Sequence, residues 1–314
     1  MIAPKGRLLN RRPGRMPSRD TEGGRSLPKV TLAILKTLKY SDHFGFPLTP
    51  EEIHLRFVGE SPCARPLIVR TIRQMIQDKL VQQTRDYYHL AGHQSLVARR
   101  LAHQKSSAPQ LTRAKALAVK LGRVPGVLAI YLTGSLAMSN SDKNADIDFM
   151  VITQNSRLWT TRFLLTLYTE FLGLRRRPRD PHTAGKACLN LYLSPHSYLL
   201  PPNRRSLYTA YELIQAVPLY DPSDTHSRLL ASNPWIHDFL PNVPIPRTVP
   251  KRNSWLQAKK GSPAGEGTVL NGILNLIEFL VYRLQLAYMR PRLTREYISP
   301  DSAFFHPRNP APKI

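Results

Sequence analysis

Apolar positions recur at helical spacing from Lys29 onward and give way to strand-like runs after residue 124. VTLAILKTLKY (30–40) carries the three-to-four-residue period of a half-buried helix. In FGFPLTPEEIHLRF, Thr49 reads as an N-cap, Pro50 as the first helical position and Glu52 as the far side of a capping box. A third helix is expected over 65–79, with Ile68, Ile72, Met75 and Ile76 on one face. LVQQTRDYYHLAG (80–92) alternates around a polar turn, the pattern of a small hairpin. Residues 94–122 read as one or two connecting helices. Buried strands are expected over 127–133, 147–153 and 186–194. RLWTTRFLLTLYTEFLGL (157–174) and the run 269–289 are strongly apolar. Each contains interior charges and falls short of a clean span of about 20 apolar residues, so both are expected as buried core helices and no integral membrane span is expected. SLYTAYELIQAV, within 203–240, is an amphipathic helix followed by a Pro-rich passage; the segment after Arg290 reads as loop.

Three short helices followed by a hairpin is the order of a winged helix-turn-helix. In such a domain Arg70 and Arg73, on the third helix, would face a major groove of DNA or RNA, and Arg85, on the hairpin, would lie against the backbone. The same module also serves for packing or dimerisation. The chain divides accordingly: a disordered basic arm (1–27), the winged-helix-like domain (28–95), connecting helices (96–123), a catalytic α+β domain (124–240), a linker (241–268) and a C-terminal helix and tail (269–314).

Composition sharpens this division. The 314 residues suffice for two modest domains, and 42% are hydrophobic, enough for a sizeable core. A net charge of +24 points to a polyanion: nucleic acid, a nucleotide or an anionic membrane face. A well-solvated basic surface is the plainer alternative. Cys63 and Cys188 stand far apart without metal spacing, which argues against a disulfide framework or a zinc site and fits a reducing compartment. No apolar stretch follows the N-terminal charges, so no secretory signal is visible and a cytoplasmic location is expected. The ten histidines show no paired spacing, and neither Ser-His-Asp logic nor a Walker loop is present.

The chemistry concentrates in YLTGSLAMSNSDKNADIDFMVIT (131–153). Gly134 ends the first strand and lets backbone approach a ligand, and Ser135 opens a short helix whose N–H groups would cradle phosphate. Asp146 and Asp148, two residues apart, share one face of the next strand. Neighbouring like charges are costly unless a cation neutralises them. Hard oxygen ligands beside a phosphate cradle point to Mg²⁺. The arginines of RRRPR (175–179) fall on the same side, either against a triphosphate or RNA backbone or as a solvated helix terminus.

An apolar residue, Gly-Ser, ten intervening residues (136–145) and then Asp-apolar-Asp-apolar resembles the signature of the nucleotidyltransferase superfamily that includes DNA polymerase beta, poly(A) polymerases and kanamycin nucleotidyltransferase. The resemblance covers about residues 124–195. It implies an α+β fold: a small mixed sheet with flanking helices, here behind a winged helix and before a helical C-terminal extension. It also implies transfer of NMP from an NTP, ATP being the expected donor, to an acceptor, with nucleic acid slightly favoured. Asp146 and Asp148 would hold two Mg²⁺ ions; Gly134 and Ser135 would hold the nucleotide's phosphates. Two departures stand out. The third carboxylate of the superfamily falls at Asn190, which can ligate a metal only through its amide oxygen and cannot act as a base; Glu170, Asp180 and Glu212 are other sources of charge. The arginine that minimal toxin–antitoxin members carry three residues after the serine is Met138, which sets protein AMPylation aside. Asn190 also leaves open a DNA-binding regulator that senses nucleotide without turning it over. A small-molecule modifying enzyme is a third reading, which needs neither a basic arm nor a winged helix.

Overall fold

The computed structural model describes residues 27–177, 180–246, 266–294 and 296–305. The expected basic arm lies almost wholly outside these residues, as do most of the expected linker and Arg179.

The fold is mixed α/β. Its first unit comprises α1 (Lys29–His43), α2 (Pro50–Leu55), α3 (Arg65–Gln77) and an antiparallel hairpin of β1 (Val81–Thr84) and β2 (Tyr87–Leu90). The Thr49 capping box forms: the Glu52 N–H donates to the Thr49 hydroxyl, and the Thr49 N–H donates to the Glu52 carboxylate. Ile34, Leu48, Ile53, Ile68 and Ile72 build this unit's core.

Glu52 has a second task. α4 (Ser95–Gly122) is one continuous helix, and its buried Arg100 grips the Glu52 carboxylate through two hydrogen bonds of 2.7 and 2.8 Å. The Arg100 guanidinium also lies over the Phe46 ring, 3.9 Å from its centroid. Burial works to raise the Glu52 pKa, but hydrogen bonding to Arg100 and the charges of Arg56 and Arg100 outweigh it, and the pKa is lowered from its ordinary value.

The second unit is a six-stranded mixed sheet in the order β6-β3-β4-β5-β8-β7. Its strands are β3 (Val127–Leu132), β4 (Ile147–Thr153), β5 (Ala187–Leu193), β6 (Val217–Tyr220), β7 (Tyr297–Ile298) and β8 (Ser302–Phe304). β3 runs antiparallel to β4, and β4 runs parallel to β5 through the crossover helix α6 (Leu158–Phe171). Short α5 (Gly134–Ala137) follows β3, and α7 (Leu207–Gln215) and α8 (Thr225–Ala231) flank β6. Period two decides the faces. Ile147, Phe149 and Val151 of β4 enter the core shared with α4 and α6, whereas Met150 and Ile152 enter the opposite core with Tyr211, Leu229 and Ile236. Both faces of the central strand are covered.

The first unit shares that second core. Tyr40 of α1 stacks on Tyr211 of α7 with ring centroids 4.3 Å apart, and the Tyr211 hydroxyl donates to the Arg56 carbonyl at 3.0 Å. The Asn242 side chain accepts from the Cys63 N–H and donates to the Cys63 and His54 carbonyls.

Two expectations are corrected. The segment after Arg290 is not simply loop: its β8 pairs with β5 and closes that side of the sheet. The last helix, α9 (Glu266–Met289), is not a buried core helix: Leu276, Phe279, Leu280 and Leu284 all stand more than half exposed. The chain's apolar content in that stretch exceeds what α6 can cover, and periodicity does not say which face turns inward.

The Glu52–Arg100 pair yields a stability prediction. With its folded pKa below the ordinary 4.5, Glu52 stabilises fully above that pH and loses its contribution as the pH falls through the folded value. Glu52→Gln leaves Arg100 without its counter-charge and costs about 3 kcal/mol at pH 7. Thermal melts from pH 7 to pH 3 are expected to show the gap between wild type and variant narrowing on the acid side. A constant gap contradicts the assignment.

Candidate active site

The site forms where the ends of β3, β4 and β5 meet. Gly134 adopts a left-handed backbone (φ +66°), and a Cβ there would lie 2.4 Å from Oδ2 of Asp148. Glycine therefore meets two demands at once: a conformation that L residues enter at a cost, and contact between backbone and carboxylate. The Thr133 N–H donates to the Asp148 carbonyl at 3.0 Å, holding the Gly-Ser turn against β4. The loop from α5 to β4 is tied to α4: the Ser141 N–H donates to the Ser107 hydroxyl, and the Ser106 hydroxyl donates to the Ser141 carbonyl.

Asp146 and Asp148 come together as the sequence spacing requires. Oxygens of both and the Cys188 sulfur lie within 4.8 Å of one another. The register explains Cys188, which pairs directly with Asp148 across the parallel β4–β5 ladder. Two residues on, Leu191 pairs with Met150 although Leu189 pairs with Phe149, so Asn190 is an extra, bulged residue. Bulges re-aim side chains. Here Asn190 donates through Nδ2 to Oδ1 of Asp148 at 2.8 Å. Its own Oδ1 is buried and accepts no hydrogen bond from the described residues.

Arg176 is the cation that sequence reading left unresolved. Its Nε lies 2.6 Å from Oδ2 of Asp146, and its Nη1 donates towards the Cys188 sulfur. Its neighbours turn elsewhere: Arg175 and Arg177 both pair with Glu170, and Lys186 pairs with Asp180. Glu170 and Asp180 are thus engaged with cations away from the carboxylate pair. Burial, then the charges of Asp148 and Asp146, push the Cys188 thiol well above the usual thiol range. It is held as a neutral thiol, a poor ligand for a hard cation.

Asp148 and Asn190 open into a cavity of about 250 Å³ between the two units. Gly134, Ser135 and Met138 line one side, and Tyr40, Phe44 and Arg56 line the other. Tyr208 and Glu212 of α7 complete it, so Glu212 is the one carboxylate among the three alternatives that shares a cavity with Asp148. Burial, with Glu212 adding to it, raises the Tyr208 hydroxyl's pKa and keeps it a proton donor. Arg70, Arg73 and Arg85 do not line this cavity; they lie exposed on α3 and on the β1–β2 turn.

Cys188 had a signal in the sequence: it sits two residues before Asn190, on the same side of the strand. Arg176 and Glu212 had none beyond charge, because loop paths and helix packing bring them in. Compared with known protein families, curated proteins and solved structures, the chain matches none.

The Gly134 contact is open to direct test. Gly173 has nearly the same backbone angle (φ +64°) but nothing within 4 Å of a Cβ. Gly173→Ala carries backbone strain alone, about 1–2 kcal/mol, whereas Gly134→Ala adds the collision with Asp148. Thermal melts are expected to rank Gly134→Ala clearly below Gly173→Ala; equal melting temperatures contradict the contact.

Proposed function

We propose that this chain is a nucleotidyltransferase of the DNA polymerase beta type, dependent on Mg²⁺ and transferring NMP from an NTP to an acceptor. The observation that carries this reading is the Gly134–Asp148 contact. A Gly-Ser turn pressed against one of two paired carboxylates lets a phosphate bound at the turn share a cation with the strand. The antiparallel β3–β4 pair and the parallel β4–β5 crossover support the same reading, as does the helix–helix–helix–hairpin order for a winged-helix unit.

The donor set fits a hard divalent cation: two carboxylates and the unpaired, buried Asn190 amide oxygen. Asp146, Asp148 and Asn190 would hold it. When bound, such a cation stabilises negative charge on the reacting phosphate and activates an acceptor hydroxyl. The protein's own groups position the rest. Gly134 and Ser135 meet the donor's phosphates, Tyr40, Phe44 and Tyr208 offer aromatic walls for a base or acceptor, and Glu212, which lines the cavity with Asp148, is the candidate to take an acceptor proton there. The short hairpin and the exposed Arg70, Arg73 and Arg85 support a nucleic-acid acceptor.

A second reading follows from Arg176. Its guanidinium already neutralises Asp146, and the third position is an amide. A DNA-binding regulator that senses nucleotide without turnover would have this pair of features.

Transfer of label from α-labelled ATP, CTP, GTP and UTP into pooled RNA, DNA and protein, with Mg²⁺ or Mn²⁺, separates the two. As an enzyme, the wild type labels one acceptor class, and Asp148→Asn reduces incorporation to background while its melting curve stays cooperative. Nucleotide binding without any label identifies the sensor. Asn190→Asp is expected to tighten Mg²⁺ roughly tenfold, a charged oxygen replacing a neutral one; unchanged affinity removes Asn190 from the ligand set. The double variant Arg70→Ala, Arg73→Ala should weaken nucleic-acid binding and flatten its salt dependence. If it binds as the wild type does, α3 is not the contact.

A further inference from the structure

α9 turns the buried Glu278 towards α6, beside Val281, Tyr282 and Met289, which pack on the sheet core. The Glu278 carboxylate is buried and accepts from the Trp159 and Thr160 N–H groups at 2.6 and 2.9 Å, capping the N-terminus of α6. Gln285 donates to the Trp159 carbonyl at 2.8 Å and accepts from Arg162, and Asn275 accepts from Arg157 at 2.8 Å. These contacts advance together along both helices, so α9 lies alongside α6 in the same direction. The outward face is apolar: Ile273, Leu276, Leu280 and Leu284 follow one another at three- and four-residue steps, all more than half exposed. α6 adds Phe163, Leu167 and Phe171, each exposed and four residues apart. Exposed apolar rows on two helices packed together are rare on a solvated protein and mark an interaction site.

Charge selects the occupant. Val269–Met289 is the one helical stretch among the described residues that has the length and hydropathy to cross a bilayer, yet almost none of it is buried. Arg283 is its only charge besides Glu278. Lys259 and Lys260 precede the helix and Arg290, Arg292 and Arg295 follow it, in a chain whose net charge is +24. That charge opposes a second copy of the chain and favours an anionic surface. Nucleic acid is anionic but offers nothing to a leucine face. A helix with basic flanks and an exposed Leu/Ile/Phe face matches what an anionic bilayer interface accepts. The Glu278 cap, made through N–H groups of a helix belonging to the folded sheet, holds α9 flat against the protein and opposes insertion across the membrane.

We propose that the outward face of α9, extended by Phe163, Leu167 and Phe171 of α6, docks the protein onto an anionic lipid surface, with α9 lying in the plane of the interface. This surface is separate from the carboxylate site and does not depend on its chemistry.

The test is flotation of the full chain with vesicles of phosphatidylglycerol and phosphatidylcholine, against vesicles of phosphatidylcholine alone. The protein is expected to float with the anionic vesicles and to be released by salt, with at least about tenfold weaker association on the neutral ones. The double variant Leu276→Glu, Leu280→Glu changes exposed positions only and is expected to lose flotation while keeping the wild-type melting temperature. A milder variant, Leu280→Trp, places a reporter on the same face; its emission is expected to shift to the blue when anionic vesicles are added. Absence of flotation, a double variant that floats like the wild type, or an unshifted Leu280→Trp spectrum overturns the proposal. So does a lipid-free dimer in light scattering that the double variant turns into monomer, since the face is then an interface between copies. Retention in vesicles through alkaline carbonate overturns the in-plane arrangement in favour of a span.

Discussion

Two carboxylates on one face of a central strand repel each other, and most of the surrounding structure answers that repulsion. Asp146 and Asp148 sit where β4 leaves the closed part of the sheet, since further along both faces are packed with apolar side chains. Gly134 gives Asp148 room that any Cβ would take away. The Asn190 bulge brings an amide to Asp148, and the loop after α6 brings Arg176 to Asp146. Each carboxylate thus has its own compensating group within the protein. Neither carboxylate therefore depends on a bound cation for the fold to persist.

The parts legible in the sequence are those governed by local periodicity. The Thr49–Glu52 capping box, the hairpin around Arg85, and the placement of Gly134 just after β3 and of Asp146 and Asp148 at the start of β4 all follow from residues within a few positions of one another. Asn190 was legible as a position facing the site, but not as a bulge. The parity of β5 shows why: Ala187 and Leu189 belong to one core and Leu191 and Leu193 to the other, so strict alternation fails at Asn190. An alternation rule carries no information about an inserted residue, and the insertion is what sets Leu191 opposite Met150 and turns Leu191 and Leu193 to the other core.

What stayed hidden depends on long-range packing. Cys188 has no metal spacing to reveal it, only its place two residues before Asn190, because its neighbours in the site come from another strand. Glu170, Asp180 and Glu212 are equivalent as letters; their separate ion pairs and the fold of α7 distinguish them. The strands after Arg290 are two and three residues long, too short for a periodic signal, and they exist because β5 would otherwise present an unpaired edge. The burial expected of α9 failed for a related reason. Hydropathy reports how apolar a helix is, whereas its inward face was chosen by two N–H groups of α6 that needed an acceptor.

That choice connects the far side of the molecule to the site. α6 is the crossover between β4 and β5, so its position fixes how those strands pair and therefore where Asp148 meets Cys188 and Asn190. Its first turn carries N–H groups without intrahelical acceptors, and Glu278 supplies the acceptor for two of them. Trp159, fully buried beside that cap, packs its ring at 5.0 Å from Tyr282 of α9 and donates its indole N–H to the Ser299 carbonyl. The C-terminal helix and the short strands behind it are therefore structural parts of the sheet domain. A helix held in place by the Glu278 cap, with Val281, Tyr282 and Met289 packed on the core, is left with Leu276, Leu280 and Leu284 facing outward.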